Sequence, residues 1–288
     1  MRDGVDDKSN LARRTAIGHD AGRPTHPPGG PVHADPNAPM TRPAEITGWP
    51  LLKLVYRTDP DRIADLLPPG ITPGANPHVH VNIYNVPING EPEYGVSTKV
   101  EADYDGRAGF YSLGLGIDQE AAIFISREIN GQPKFPCTIR YFRLGDSVEA
   151  RCTHQGYTFL EFSGQVTGAV ADAGGESTEH EWWIKVSRAV GGAEKEYDFP
   201  PRVVRVTSVN DTAYAEELDG VLTLRDSPWD PYTELLPMRE QLSARLVTPI
   251  FKAREIVLEG ALDPIAFWPY ADTIGGSRWP GERGGPRR

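Results

Sequence analysis

One lysine stands in unusual company. Lys134 lies in Gln132-Pro133-Lys134-Phe135-Pro136, shortly after the apolar run from Ala121 to Ile125, and it is one of seven lysines against 23 arginines. Two prolines and a phenylalanine restrict it and surround it with apolar groups. Desolvation disfavours an ammonium ion and lowers the pKa of a lysine. Only a few in ten thousand free lysines are neutral at pH 7, given an ordinary pKa of ~10.4. An amine that attacks a carbonyl to form an imine must be neutral for part of the time. The competing reading is a surface lysine on a tight Pro-Lys turn. Glu128 and Gln132 lie close to Lys134 in sequence, and either suits proton transfer or contact with a carboxylate. Glu128 follows Arg127 and suits a structural ion pair equally well.

A second set of residues points to different chemistry. His78-x-His80 on a strand places two imidazoles on one face, as in metal-binding barrels, with His154, Glu149 or Glu161 as the candidate third ligand. No ligand spacing accompanies the pair.

These residues need a scaffold, and the chain reads mostly as strands. Over 78–86, Val79, Val81 and Ile83 alternate with His78, His80 and Asn82, the period of a strand with one buried face. Asn82 thus joins the two histidines on one face, though a solvent-facing role suits it equally. Residues 181–188 and 202–209 are rich in β-branched and aromatic side chains. Residues 251–258 suit a late strand, and 157–170 a long strand broken at Gly164. A helix is expected over 58–67, with Thr58 or Asp59 as cap, Pro60 in the first turn, and Ile63, Leu66 and Leu67 as its apolar stripe. A second is expected over 234–243. Gly and Pro together number 57, so turns are frequent and long helices few. No internal repeat is visible. The pattern predicts a β-rich α+β fold, an antiparallel sheet or barrel with a few flanking helices.

Composition narrows the function classes. The 288 residues carry a net charge of −10, a field that repels nucleic acid and anionic membrane. The apolar runs are too short for a membrane-spanning helix. Two cysteines, Cys137 and Cys152, make neither a disulfide framework nor a metal knuckle, so a cytoplasmic location is the expectation. Residues 1–48 hold seven prolines and no aromatic side chain and read as a disordered tail. Arg13-Arg14 has no apolar region after it and is not read as an export signal. A flexible basic tail is expected over 277–288, leaving 49–276 as the folded domain.

Family resemblance gives Lys134 a role. Val55-Tyr56-Arg57-Thr58-Asp59, with the helix that follows and Pro68, resembles the N-terminal signature of the acetoacetate decarboxylase family. Asp118-Gln119-Glu120-Ala121-Ala122-Ile123 and then Ser126-Arg127-Glu128-Ile129 resemble that family's strand and Gly-Arg-Glu motif. Pro133-Lys134 falls where the family carries its Schiff-base lysine. Asp219-Gly220 through Glu255-Ile256 follows its closing pattern. The resemblance spans 49–262 and implies a cone-like β-barrel, homo-oligomer formation, no metal or organic cofactor, and an imine between Lys134 and a small oxo acid. Decarboxylation of a β-oxo acid is then the default reaction. The alternative is an aldolase-dehydratase that condenses a pyruvate-like 2-oxo acid with an aldehyde, as in specialised metabolism. Arg57, Asp118 and Glu120 take structural roles in this reading.

The sequence departs from the family around the nucleophile. The family's adjacent second lysine is Phe135 here, its arginine before the first motif is Trp49, and its glutamate on the strand after the first helix is Asn82. A further glutamate just past a tyrosine has no counterpart near Tyr94, where Gly95 and Val96 stand. Trp49, Asn82, Tyr94 and Phe135 are therefore expected to form a reshaped substrate pocket, with Lys134, Glu128 and Gln132 as the catalytic group. Two other classes stay open: a metal-binding barrel enzyme built on His78 and His80, and a non-catalytic binding barrel that keeps the lysine as fold ancestry.

Overall fold

The computed structural model describes residues 50–88, 91–171 and 173–271. The expected tails, 1–48 and 277–288, lie outside the described residues.

Twelve strands and four short α-helices make up the described chain. β1 (Leu51–Arg57) leads into α1 (Pro60–Leu66), and β2 (Thr72–Pro73), β3 (His78–Ile88), β4 (Glu91–Tyr104) and β5 (Arg107–Ile117) follow. Then come α2 (Glu120–Asn130), β6 (Lys134–Pro136), β7 (Thr138–Leu144), β8 (Ser147–His154), β9 (Tyr157–Ala169) and β10 (Ser177–Arg188). β11 (Tyr197–Leu224), α3 (Tyr232–Leu235), β12 (Glu240–Ala261) and α4 (Pro264–Phe267) complete it. No helix of the described residues is long and apolar enough to cross a membrane.

The strands pair in the order β10-β5-β4-β3-β1-β12-β11, and β10 also pairs with β11, so seven strands close on themselves. Closure leaves no free edge in this ring. The 28-residue β11 extends beyond it and carries the β9-β8-β7 arm along its C-terminal part. Neighbouring strands run antiparallel except for β10 with β5 and β5 with β6. The expected barrel is the observed architecture.

Alternation decides which side chains meet. Leu52, Leu54 and Tyr56 of β1 and Val79, Val81 and Ile83 of β3 are fully buried. They pack in one core with Ile139, Tyr141, Phe159, Leu160 and Phe162 of the arm. The opposite face of the same strands carries Lys53, His78, His80, Asn82 and Tyr84, and it is polar. One strand period thus separates a hydrophobic core from a face able to do chemistry.

The expected first helix is α1, with Asp59 at its N-cap, Pro60 in its first turn and Ile63 and Leu66 buried. Three expectations are corrected. The stretch 118–123, expected to be a strand, is helical from Glu120, because Gly131 adopts φ 68° and closes an 11-residue helix whose buried residue is Ile123. The helix expected over 234–243 stops at Leu235. Pro237 cannot continue it, and Glu240 starts β12. Gly164 does not break β9, which runs on to Ala169.

Candidate active site around Lys134

Lys134 opens the three-residue strand β6, beside Leu115 of β5. The segment is pinned on both sides: Leu115 N–H donates to Pro133 O at 2.9 Å, and Lys134 N–H donates to Gln132 O at 2.7 Å. The lysine is buried, with 8% of its side chain exposed, and its Nζ lies 3.4 Å from Oε2 of Glu93 on β4, which is 4% exposed. The Tyr84 hydroxyl donates to the other Glu93 oxygen, Oε1, at 3.3 Å. Tyr84 on β3 sits opposite Gly95 on β4. A Cβ at Gly95 would come within 2.1 Å of the tyrosine ring, so the missing side chain lets the ring lie across β4 towards Glu93.

The electrostatics favour a reactive amine. Burial, the largest cause, holds Lys134 below the ordinary lysine range; Glu93 works against it, and the Arg254 guanidinium adds to it. Arg254 projects from β12 and lies 5.5 Å over the ring of Trp183. Its like charge acts on the Lys134 ammonium through space, from a strand distant in sequence. Burial and the Glu93 charge hold the Tyr84 phenol well above its usual range, so it stays a proton donor to that carboxylate. Next to this group, Ser112 Oγ and Trp183 Nε1 both donate to Glu181 Oε1.

The residues expected from the sequence divide on this geometry. Lys134 and Gln132 are both buried, with Pro133 between them. Asn82 shares the face of Tyr84 two residues along β3, and its amide donates to Ser97 Oγ at 3.2 Å. Glu128 is a correction: it is exposed on α2, and its main-chain carbonyl accepts a bond from Lys185 Nζ. Phe135 is another, since side chains alternate along a strand. Its ring points to the opposite face from Lys134, into the core, where it meets His154 edge-on at 4.9 Å. Tyr94 also packs against the core, with its N–H donating to Asp118 Oδ1 at 2.9 Å. Trp49 lies outside the described residues.

A carboxylate does face Lys134 from β4: Glu93, one residue before Tyr94. Glu93 and Gly95 share a face of β4, one strand period apart. That period was the available signal. Arg57 pairs with Glu240 at 2.9 Å and Asp59 with Arg239 at 2.7 Å, contacts that fasten the entry to α1.

The metal-ligand expectation also changes. His154 is buried on the core side, with Nδ1 2.8 Å from Asp230. Glu149 accepts from Ser163, while Glu161 pairs with Arg151 and Arg225. These two carboxylates line an open groove of about 500 Å³ on the arm, which neither Lys134 nor Glu93 lines. The carboxylate beside His78 and His80 is Glu101.

Comparison with known proteins gives the family and the fold. A family model described as acetoacetate decarboxylase matches residues 29–261. No curated protein sequence matches the chain. An acetoacetate decarboxylase-like enzyme from Sphingomonas wittichii RW1 is similar in structure, with a TM-score of 0.61 and 18% identity over 74% of this chain and 92% of its own. The acetoacetate decarboxylase of Legionella pneumophila gives 0.60 and 16%, over 79% and 92%. The enduracididine biosynthesis enzyme MppR, solved in complex with pyruvate, gives 0.57 and 17%, over 76% and 93%.

Proposed function

The chain belongs to the acetoacetate decarboxylase family, and from that premise we propose that it is a lyase whose Lys134 forms an imine with a small oxo acid. The observation that carries the proposal is the buried Lys134–Glu93 contact at 3.4 Å, with the Glu93 carboxylate fixed from its far side by Tyr84.

Burial keeps a usable fraction of Lys134 as free amine. Its nitrogen adds to the ketone carbon of the substrate. Loss of water from the carbinolamine leaves a protonated imine, and Glu93 is placed to carry the protons that this step moves. In a β-oxo acid the bond to the carboxylate then breaks. Its electron pair flows into the iminium nitrogen, giving an enamine and releasing CO₂. Protonation of the enamine carbon and hydrolysis return the ketone and free Lys134. Gln132 and Asn82 are the polar groups we assign to substrate contact. An enamine formed from a pyruvate-like acid would instead add to an aldehyde, so both reactions share the intermediate on Lys134.

Borohydride treatment in the presence of candidate oxo acids tests the assignment. The reduced adduct is expected on the peptide holding Lys134, and labelling confined to Lys99 or Lys185 would overturn it. Measuring CO₂ release from β-oxo acids alongside deuterium exchange into pyruvate separates the two outcomes of the enamine.

A further inference from the structure

The histidine pair of β3 takes no part in the imine chemistry, yet the structure gives it a third partner. We propose that His78, His80 and Glu101 bind one divalent cation of borderline softness, such as Zn²⁺, with water completing its coordination.

The three donor atoms converge. His78 Nδ1 and His80 Nε2 lie 3.2 and 3.5 Å from the same oxygen, Oε1 of Glu101, and all three atoms fall within 4.8 Å of one another. Ligand atoms around a tetrahedral zinc at ~2.0–2.1 Å stand about 3.3 Å apart, so a small rotation of one imidazole completes the set. Strand geometry builds this arrangement. His78 and His80 share a face of β3, and the β3–β4 register, Val79 with Val100 and His80 with Lys99, carries Glu101 beside them.

Two further observations point to a missing partner. His80 Nε2 is buried without a well-formed hydrogen bond, its polar contact being Glu101 Oε1 at 3.5 Å, while its ring is held edge-on to Phe110 at 4.8 Å. A buried nitrogen left in this state costs free energy that a bound cation would recover. Glu101 is also aimed. Asn76 donates to Oε2 twice, from its main-chain N–H at 3.2 Å and from Nδ2 at 3.0 Å, which leaves Oε1 for the two rings. Outer partners of this kind orient ligating carboxylates. The nearby ammonium of Lys99 is compensated by its ion pair with Glu179.

Two imidazoles and one carboxylate suit zinc or its neighbours rather than calcium or magnesium, which prefer all-oxygen sites. His80 and Tyr84 are four residues apart on β3, about 13 Å along the strand. The ion would therefore tie β3, β4 and the turn at Asn76 together, away from Lys134.

The test uses the full, untagged chain stripped with a chelator and titrated with zinc chloride, magnesium chloride serving as control. Elemental analysis should then find one zinc per chain, with a dissociation constant in the micromolar range or tighter. The melting temperature should rise with zinc and not with magnesium. His78→Gln/His80→Gln and Glu101→Gln should each weaken zinc binding at least 100-fold while borohydride still labels Lys134. Asn76→Ala leaves all three ligands in place and should weaken binding about 10- to 100-fold, which guards against a ligand variant that fails to fold. Absence of zinc binding by the unmodified chain, or undiminished affinity in the folded variants, would overturn the proposal.

Discussion

Tyr84 and Gly95 face each other across β3 and β4, and the ring of the first fills the space that a side chain on the second would need. That vacancy lets the phenol reach Glu93, which in turn contacts Lys134. Gly95→Ala is therefore expected to displace the ring. It should lower stability by about 1–3 kcal/mol through overpacking and slow borohydride trapping at Lys134 roughly tenfold. Tyr84→Phe keeps the ring and loses only the hydroxyl, so trapping should slow with a smaller effect on unfolding. Urea melts and trapping time courses on both variants check the pair.

Arg254 and Glu93 act on Lys134 with opposite signs. Removing the cation in Arg254→Gln makes the ammonium easier to hold, so the pH profile of trapping should move to higher pH, and less so in high salt. Removing the carboxylate in Glu93→Gln should move the profile to lower pH. Turnover should still fall, by roughly 10²–10⁴, if Glu93 carries the protons as proposed. Profiles that shift together, in either direction, would contradict this assignment of charges.

Lys134 and Glu93 are both buried, so each depends on the other. Lys134→Met should abolish trapping and, by leaving an unpaired buried carboxylate, cost about 3–5 kcal/mol of stability. Adding Glu93→Gln to it should recover most of that loss without recovering trapping. Equilibrium denaturation of the single and double variants supplies the comparison.

The folded pKa of Lys134 lies below its unfolded value. Between those two values the unfolded chain binds more protons than the native one, so the penalty of burying this ammonium shrinks, and stability rises, as pH increases through that window. The slope of unfolding free energy against pH on the alkaline side of neutrality should therefore flatten when Lys134→Met and Glu93→Gln are combined.

Phe135→Lys tests which way that side chain points. The ring lies in the core against His154, so an ammonium there is buried away from Lys134. The expected result is a loss of several kcal/mol, on the order of 3–5, with no downward shift of the trapping profile. A stable variant with a lowered profile would place the side chain beside Lys134 instead.

Local signals carried far in this chain. The alternation from His78 to Ile83 read correctly as β3, because a half-buried strand writes its period into the residue types. Asp59-Pro60 marked the start of α1 for equally local reasons. The run Ala121–Ile125 was ambiguous, since a short apolar stretch satisfies helix and strand alike; Gly131, six residues beyond it, settles the matter. Lys134 stood out by its neighbours. Its partners did not: Glu93 is 41 residues away and Arg254 is 120, and only the ring brings them together. Phe135 was misplaced because adjacency along a strand puts consecutive side chains on opposite faces.

The pairing of β1 with β12 brings Leu51 against Val247, positions separated by 196 residues. A ribosome adding ~5–20 residues per second needs about 10–40 s between them. Throughout that interval one edge of β1 has no strand to pair with, and the nascent chain holds Lys134 and Glu93 without a closed ring. Protein quality control therefore has a defined window in which to act. A stall or premature stop before β12 leaves an open sheet edge of the kind that recruits other strands, so truncated products should aggregate rather than persist as partly active enzyme.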